Sequence, residues 1–197
     1  SRGLGDVYKR QAYERDPVPG GLMRTNIPSF RLPAEVLDEE CNQIISMGLK
    51  VEYNHEVNSF KEFLKLDHDA VFIGTGAPKG KDLNIPGRQE ASNNIHIGID
   101  FLASVAFEHV SKIGKKVIVL GGGNTAMDCC RTAVRLGGKE VGVYVRSPKV
   151  DMKASDWEVE EAEMENIPIY ENHVPKEFII KDGKLCGMLF EKVTAEY

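Results

Sequence analysis

The sequence predicts an α/β protein with two Rossmann-like nucleotide-binding domains, the first of them incomplete. An apolar strand, a glycine-rich turn and an amphipathic helix follow one another from Lys116 to Leu136. A second strand, Glu140 to Val145, completes a βαβ unit of about the usual 30 residues. Residues 12–76 alternate helical and strand patterns in the order expected for the later part of another such fold.

The glycine-rich turn carries the clearest functional signal. Gly121 and Gly123 occupy the first two positions of the pattern G-x-G-x-x-G/A, and Ala126 occupies the third. Gly121 permits a tight turn, Gly123 lets the backbone approach a pyrophosphate, and Ala126 lets the helix pack close to the sheet. The helix directs free N–H groups and its positive dipole end at the anion, and Asn124 and Thr125 are favourable cap residues. We therefore predict a dinucleotide site here.

The residue that closes the second strand selects the cofactor. An acidic residue there would bind the ribose 2′-hydroxyl of NAD, but the strand ends in Arg146, with Lys149 and Lys153 close in sequence. A guanidinium suits a 2′-phosphate, which favours NADP. NAD remains the alternative, since an arginine at a strand end is often only a solvated charge.

The first region contains further elements and one candidate acid. Ala12 to Glu14 resembles the end of a strand, where a glutamate binds an adenosine ribose in Rossmann folds. No glycine motif lies about 20 residues upstream, so on the residues alone Glu14 is better explained as a surface charge. The periodicity predicts a helix over Ala34–Gly48, a strand over Leu49–Tyr53, a short helix over Phe60–Leu66 and a buried strand over Asp69–Gly76.

Later elements follow the second strand of the βαβ unit. Asp156–Glu165 predicts an acidic helix whose carboxylates form a solvated face rather than a metal site, with Trp157 as a packing anchor. Ile167–Tyr170 predicts another strand. Asp182-Gly183 is a strong hairpin signal between strand-like runs at 178–181 and 185–190.

Composition narrows the function classes. The net charge of −5, from 25 basic and 30 acidic residues, argues against nucleic acid or an anionic membrane as the partner. Without a signal peptide or a run of about 18 apolar residues, a cytoplasmic protein is expected. The four cysteines lack the spacings of zinc and iron–sulfur sites, and adjacent Cys129 and Cys130 are expected to be buried. We predict no metal site in this chain, and assign no role to the scattered histidines.

Several motifs in sequence order carry a family resemblance. The motifs are Gly20-Gly21-Leu22, Ile27–Pro33, Gly74-Thr75-Gly76, Ile85-Pro86-Gly87 and Gly121–Asp128. With these motifs the sequence strongly resembles the small (beta) subunit of NADPH-dependent glutamate synthase, and the equivalent flavin and nicotinamide domains of dihydropyrimidine dehydrogenase, over nearly all of residues 12–197. These proteins belong to the glutathione-reductase-like flavoproteins.

The resemblance implies two cofactors and a set of residues for each. FAD would be held by Glu14 at its ribose, by Gly20, Gly21 and Arg24 at its phosphates or flavin, and by Thr75 and Gly76. NADPH would be held by Gly121, Gly123, Asn124, Thr125 and Arg146. Residues 12–103 would form a partial FAD-binding domain and residues 104–197 the NAD(P)H-binding domain, after a non-native leader at 1–11.

The implied activity is hydride transfer from NADPH to FAD, with electrons passing to iron–sulfur centres of a larger catalytic subunit or domain outside this chain. Because the cofactors supply this chemistry, no catalytic side chain is assigned. The family's first glycine motif, its closing flavin segment and its cluster-binding cysteines are missing, and Val145-Arg146 replaces an arginine pair. An internal fragment is therefore expected. The alternatives are a non-catalytic nucleotide-binding fragment and the electron-transfer part of a dihydropyrimidine dehydrogenase or ferredoxin:NADP oxidoreductase.

Overall fold

The computed structural model describes residues 9–194, and the chain forms two compact units that divide between Pro78 and Lys79. Both units contain parallel strands joined through helices, which confirms the predicted α/β class. Of the predicted leader, residues 1–8 lie outside the described part of the chain. Among the described helices, none combines the length and apolar character needed to cross a bilayer.

The first unit is organised around two short parallel strands. The strands pair from Arg10 with Leu49 to Tyr13 with Glu52. Arg10 and Gln11, which lie within the predicted leader, form the first half of strand β1, because polar side chains are compatible with a short strand whose side chains reach solvent. The elements in chain order are β1 (Arg10–Tyr13), α1 (Gly21–Asn26), α2 (Ala34–Ser46), β2 (Leu49–Glu52) and α3 (Phe60–Phe63).

The buried strand predicted for Asp69–Gly76 is wrong. This segment contains no strand, and Phe72 and Ile73 are 94% and 57% exposed. An apolar run becomes a strand only where a neighbour pairs its backbone N–H and C=O groups, and no described strand pairs with this one. Thr75 and Gly76 consequently lie in an exposed loop.

The second unit has a three-stranded parallel sheet in the order β3-β4-β5. Val141, Val143 and Val145 point from the middle of this sheet into the main core, where Ile167 joins them. Two helices form the connections between its strands. The elements are α4 (Gly98–Ala106), β3 (Lys116–Leu120), α5 (Asn124–Arg135), β4 (Glu140–Tyr144), α6 (Asp156–Met164), β5 (Ile169–Tyr170), β6 (His173–Lys181) and β7 (Lys184–Lys192).

Helix α5 is buried on several sides, and its two cysteines show this. Cys130 joins the core against the sheet, whereas Cys129 packs with Phe101 and Leu102 of α4. Burial raises the pKa of each thiol to about 12, so both behave as small apolar residues, as predicted. Helix α4 packs on α5, and both helices belong to the second compact unit.

The hairpin predicted from Asp182-Gly183 is confirmed. Strands β6 and β7 pair antiparallel through Lys181 and Lys184. Asp182 and Gly183 have φ values of 50° and 72°, the left-handed conformation that this type of two-residue turn requires. The strands are longer than the runs that predicted them.

An ionic network around the buried Arg131 joins α5 to the end of α6. Arg131 Nε donates to Glu165 Oε1 at 2.8 Å, and Arg135 Nη1 donates to Glu165 Oε2 at 2.7 Å. Arg131 also forms an ion pair with Glu161. Its side chain is only 10% exposed, so these carboxylates compensate a largely desolvated charge. The predicted solvated acidic face is therefore wrong in part, because Glu158 is also buried. Trp157, predicted as a packing anchor, is half exposed.

We expect Glu165→Gln to destabilise the second unit by about 1–3 kcal/mol at pH 7, because both arginines lose a charged acceptor. Hydrogen bonds from Arg135 hold the pKa of Glu165 below its ordinary value of 4.5, against the opposite effect of burial. The stabilisation is thus fully present above pH 4.5 and is lost as pH falls through the lowered pKa.

Urea unfolding followed by the fluorescence of Trp157, the single tryptophan, measures this difference. Glu160→Gln is the control, since Glu160 is an exposed glutamate of the same helix. Equal stability of the two variants at pH 7 would contradict the role assigned to Glu165.

Candidate dinucleotide-binding site

The glycine turn after β3 has the geometry that its sequence predicts. Gly121 has a φ of 134°, and its N–H donates to the Tyr144 carbonyl at 3.1 Å. Gly123 is the N-cap of α5, and a Cβ added to it would meet nothing within 4 Å. Ala126 is buried against the turn, with its Cβ 3.7 Å from the position of a Cβ added at Gly121. The turn is closed on the sheet side and open at Gly123.

The start of α5 provides the anion-binding groups. The first N–H groups of a helix have no partner within the helix, and its dipole makes this end positive. The predicted capping by Asn124 and Thr125 is wrong, because the helix begins one residue earlier, at a Gly123 cap without a side-chain acceptor. The Ala126 N–H donates to the Gly123 carbonyl at 2.9 Å, so the N–H groups that remain available to a ligand in the first turn are those of Asn124 and Thr125.

The side chain of Asn124 instead binds a segment distant in sequence. Its Oδ1 accepts a hydrogen bond from the Ser155 N–H at 3.0 Å. Next to it, the Gly122 carbonyl accepts hydrogen bonds from the N–H groups of Lys153 and Ala154 at 2.8 and 2.9 Å. These three bonds, which we call the latch, fasten the start of α6 to the glycine turn. Sequence patterns gave no sign of the latch, because it joins residues about 30 positions apart.

Cationic side chains lie near the same edge of the sheet. Strands β3 and β4 pair through Leu120 and Tyr144, so Arg146 follows its strand close to where the glycine turn follows β3. Lys149 forms an ion pair with Glu163, with 2.7 Å between Nζ and Oε1. Within residues 9–194, the exposed side chains of Arg146 and Lys153 form no ion pair. No group of three metal-ligating side chains occurs in this described range.

The first unit has a separate cleft that contains two of the predicted FAD residues. Its volume is about 200 Å³, and apolar side chains of β1, α2 and β2 form its walls beside Glu14 and Gly20. Glu14 directly follows β1 and is half-buried, with its Oε1 accepting from the Asp16 N–H at 3.0 Å. The other carboxylate oxygen forms no hydrogen bond with residues 9–194.

Other predicted FAD residues lie on or near α1. Gly20 caps this helix and Gly21 is its first residue, with φ values of 119° and 51°. Gly76 approaches the same helix, since a Cβ added there would lie 3.1 Å from Leu22 Cδ1. The guanidinium of Arg24 is engaged by Asp38 and by the Pro19 carbonyl, so it supports the start of α1 and α2.

The chain also resembles known proteins in sequence and in fold. The sequence matches the pyridine nucleotide-disulphide oxidoreductase family over residues 12–196. The chain belongs to this family. The predicted class of pyridine-nucleotide oxidoreductase and the resemblance to glutamate synthase small subunits are thereby confirmed.

The relatives of this oxidoreductase domain are longer proteins, and the domain matches only a part of each. It is 34% identical to the beta subunit of an NADP(+)-dependent formate dehydrogenase from Moorella thermoacetica, covering 93% of this chain and 26% of that protein. It is 32% identical to the glutamate synthase [NADPH] small chain of Escherichia coli (strain K12), covering 91% of this chain and 41% of that protein. The chain thus spans less than half the length of these relatives.

Solved structures confirm the glutathione-reductase type of fold. FprA from Mycobacterium tuberculosis in complex with NADPH matches with a TM-score of 0.71 at 18% identity, covering 90% of this chain and 56% of FprA. Thioredoxin reductase from Lactococcus lactis matches with a TM-score of 0.61 at 21% identity, covering 93% and 63% of the two chains. At these identities the likeness concerns the fold alone.

We expect Gly123→Ala to weaken dinucleotide binding to this oxidoreductase domain at least about tenfold, a loss of ~1.4 kcal/mol. The new methyl group would occupy the open side of the turn, where a pyrophosphate must approach. The fold should be unaffected, because the φ of −108° suits any residue and the methyl meets no protein atom within 4 Å.

Isothermal titration with NADPH, together with thermal unfolding, checks this expectation. Gly114→Ala is the matched control, since a Cβ there meets only an ordinary contact 3.7 Å away, in the loop before β3. If Gly123→Ala bound NADPH as tightly as Gly114→Ala, the pyrophosphate would not sit at this turn.

Proposed function

We propose that this chain is part of a flavin-dependent pyridine-nucleotide oxidoreductase that passes hydride from NADPH to FAD. The observation that carries the proposal is the open glycine turn at the start of α5, with an unpaired Arg146 after the adjacent strand. Membership of the pyridine nucleotide-disulphide oxidoreductase family supports this assignment.

In the proposed NADPH site, each part of the nucleotide meets a different group. The pyrophosphate lies at Gly123, where the N–H groups and dipole of α5 stabilise its charge. Gly121 keeps the turn tight, and Asn124 and Thr125 border it in the first turn of the helix. Arg146 binds the 2′-phosphate through a charge-assisted hydrogen bond. NADP is preferred over NAD for this reason, although one relative at 32% identity is an NAD-dependent dihydropyrimidine dehydrogenase subunit homologue from Salmonella typhi.

In the proposed FAD site, Glu14 accepts hydrogen bonds from the adenosine ribose at the mouth of the apolar cleft. Gly20 and Gly21 provide backbone N–H groups for the phosphates, and Thr75 and Gly76 border the same region. Arg24 contributes by fixing the helix start, because Asp38 and Pro19 already engage its guanidinium. Bound FAD supplies the redox chemistry, and the residues of this chain bind and orient the cofactors.

The acceptor of the electrons lies outside the described residues in this proposal. Relatives include the beta subunit of an NADPH-Fe(3+) oxidoreductase from Geobacter sulfurreducens, 33% identical, and glutamate synthase small chains. Their names as subunits support a larger partner, and we propose that iron–sulfur centres of this partner accept the electrons in the cytoplasm.

A second candidate is a nucleotide-binding module that does not hold flavin. The observation that favours it is the exposed, strandless segment 69–76, which contains two of the residues assigned to FAD. Such a module would bind NADPH in its second unit and leave the cleft beside Glu14 without a flavin.

Titrating the 197-residue chain with NADPH and with FAD separates the two candidates. We expect saturable binding of both, with quenching of flavin fluorescence that Glu14→Ala weakens and the Arg146→Ala variant leaves unchanged. NADPH binding without FAD binding would instead favour the nucleotide-binding module.

We expect Arg146→Ala to weaken NADPH binding by about 1–3 kcal/mol, because the 2′-phosphate loses a charge-assisted hydrogen bond. NADH lacks this phosphate, so its affinity should remain nearly the same. Parallel titrations of the two nucleotides measure the difference. Equal losses for NADPH and NADH would refute the role of Arg146 in cofactor selection.

A further inference from the structure

The backbone of Lys153 is held in place, and its side chain has no partner among residues 9–194. Its backbone N–H donates to the Gly122 carbonyl at 2.8 Å, and the latch continues through Ala154 and Ser155. The residue is therefore held beside the glycine turn, although it lies 30 positions further along the chain. Its ammonium group is exposed and forms no ion pair with the residues that the structure describes.

Lys149, the neighbouring lysine, differs from Lys153 because its charge is paired. Lys149 lies on the same connection between β4 and α6, but its Nζ is 2.7 Å from Glu163 Oε1. The flanking carboxylates Asp151 and Asp156 are exposed and lie beyond ion-pair distance of Lys153. Of the lysines on this connection, Lys153 is thus the one whose charge remains for a ligand.

A second cation would complement the charge of the 2′-phosphate. A phosphate monoester carries a charge of about −1.5 to −2 at pH 7, whereas Arg146 provides a single positive charge. The preceding Val145 is buried in the core at 2% exposure. The connection starts at Arg146 and is bonded back to the glycine turn at Lys153, so the backbones of both residues lie at the edge of the sheet where β3 and β4 end.

We propose that Lys153 is the second cation for the nucleotide 2′-phosphate, and that with Arg146 it determines the preference for NADPH over NADH. This inference rests on the proposed function, because it assumes that a dinucleotide binds at the glycine turn. The pyrophosphate is already served by the backbone N–H groups and dipole of α5, which both nucleotides use equally. The latch positions Lys153 through its backbone, so replacing the side chain leaves the latch intact.

The test is titration of NADPH and NADH into the 197-residue chain and its Lys153→Met variant, which keeps the length of the side chain but removes the charge. We expect NADPH affinity to fall roughly tenfold and NADH affinity to stay within about twofold. Lys153→Arg should restore NADPH binding. The wild-type affinity for NADPH should also fall more steeply with salt than that of Lys153→Met.

Lys139→Met is the matched control, since Lys139 is an exposed lysine before β4, at the opposite end of the sheet. Equal weakening of both nucleotides by Lys153→Met would place the lysine at the pyrophosphate and overturn the proposal. No change relative to Lys139→Met would overturn it as well, while leaving the proposed function standing. A wild-type chain that binds neither nucleotide would overturn both.

Discussion

The parallel pairing of β3 with β4 is the constraint on which the candidate site depends. Its register aligns Leu120 with Tyr144, so both strands reach the same edge of the sheet, and the N–H of Gly121 is bonded to the Tyr144 carbonyl. At that edge the glycine turn follows β3, and Arg146 follows β4. A slip by one residue would reverse the faces of the strand and remove Val143 and Val145 from the core.

Helix α5 connects this edge to the rest of the second unit. Ala126, Met127 and Cys130 pack on the sheet, Cys129 packs on α4, and Arg131 binds the acidic end of α6. The helix start is thereby fixed in position and its N–H groups are preorganised, which lowers the conformational entropy cost of binding a ligand. The packing of α5 thus both stabilises the second unit and preorganises the N–H groups at the helix start.

Local patterns predicted the parts of the structure that depend on local physics. The βαβ unit, the left-handed Gly121 and the Asp182-Gly183 hairpin follow from periodicity and backbone preference, which a short window of sequence contains. Contacts between distant residues were not predictable in this way. The bond from Ser155 to Asn124 and the Arg131–Glu165 pair depend on where two elements meet, and segment 69–76 shows that an apolar pattern without a pairing neighbour forms no strand.

The net charge of the chain disfavours an anionic partner, whereas the charges at the proposed site favour an anionic cofactor. The distance over which charges interact explains this difference. A net charge of −5 disfavours an extended anionic partner, whose many phosphates would meet the protein surface over distances well beyond the Debye length of about 8 Å. A dinucleotide interacts only with groups inside that distance. In the proposed site, the groups assigned to the anion are the N–H dipoles of α5 together with Arg146 and Lys153. An acidic protein can therefore hold an anionic cofactor, provided that its fold brings a few unpaired cations to one helix start.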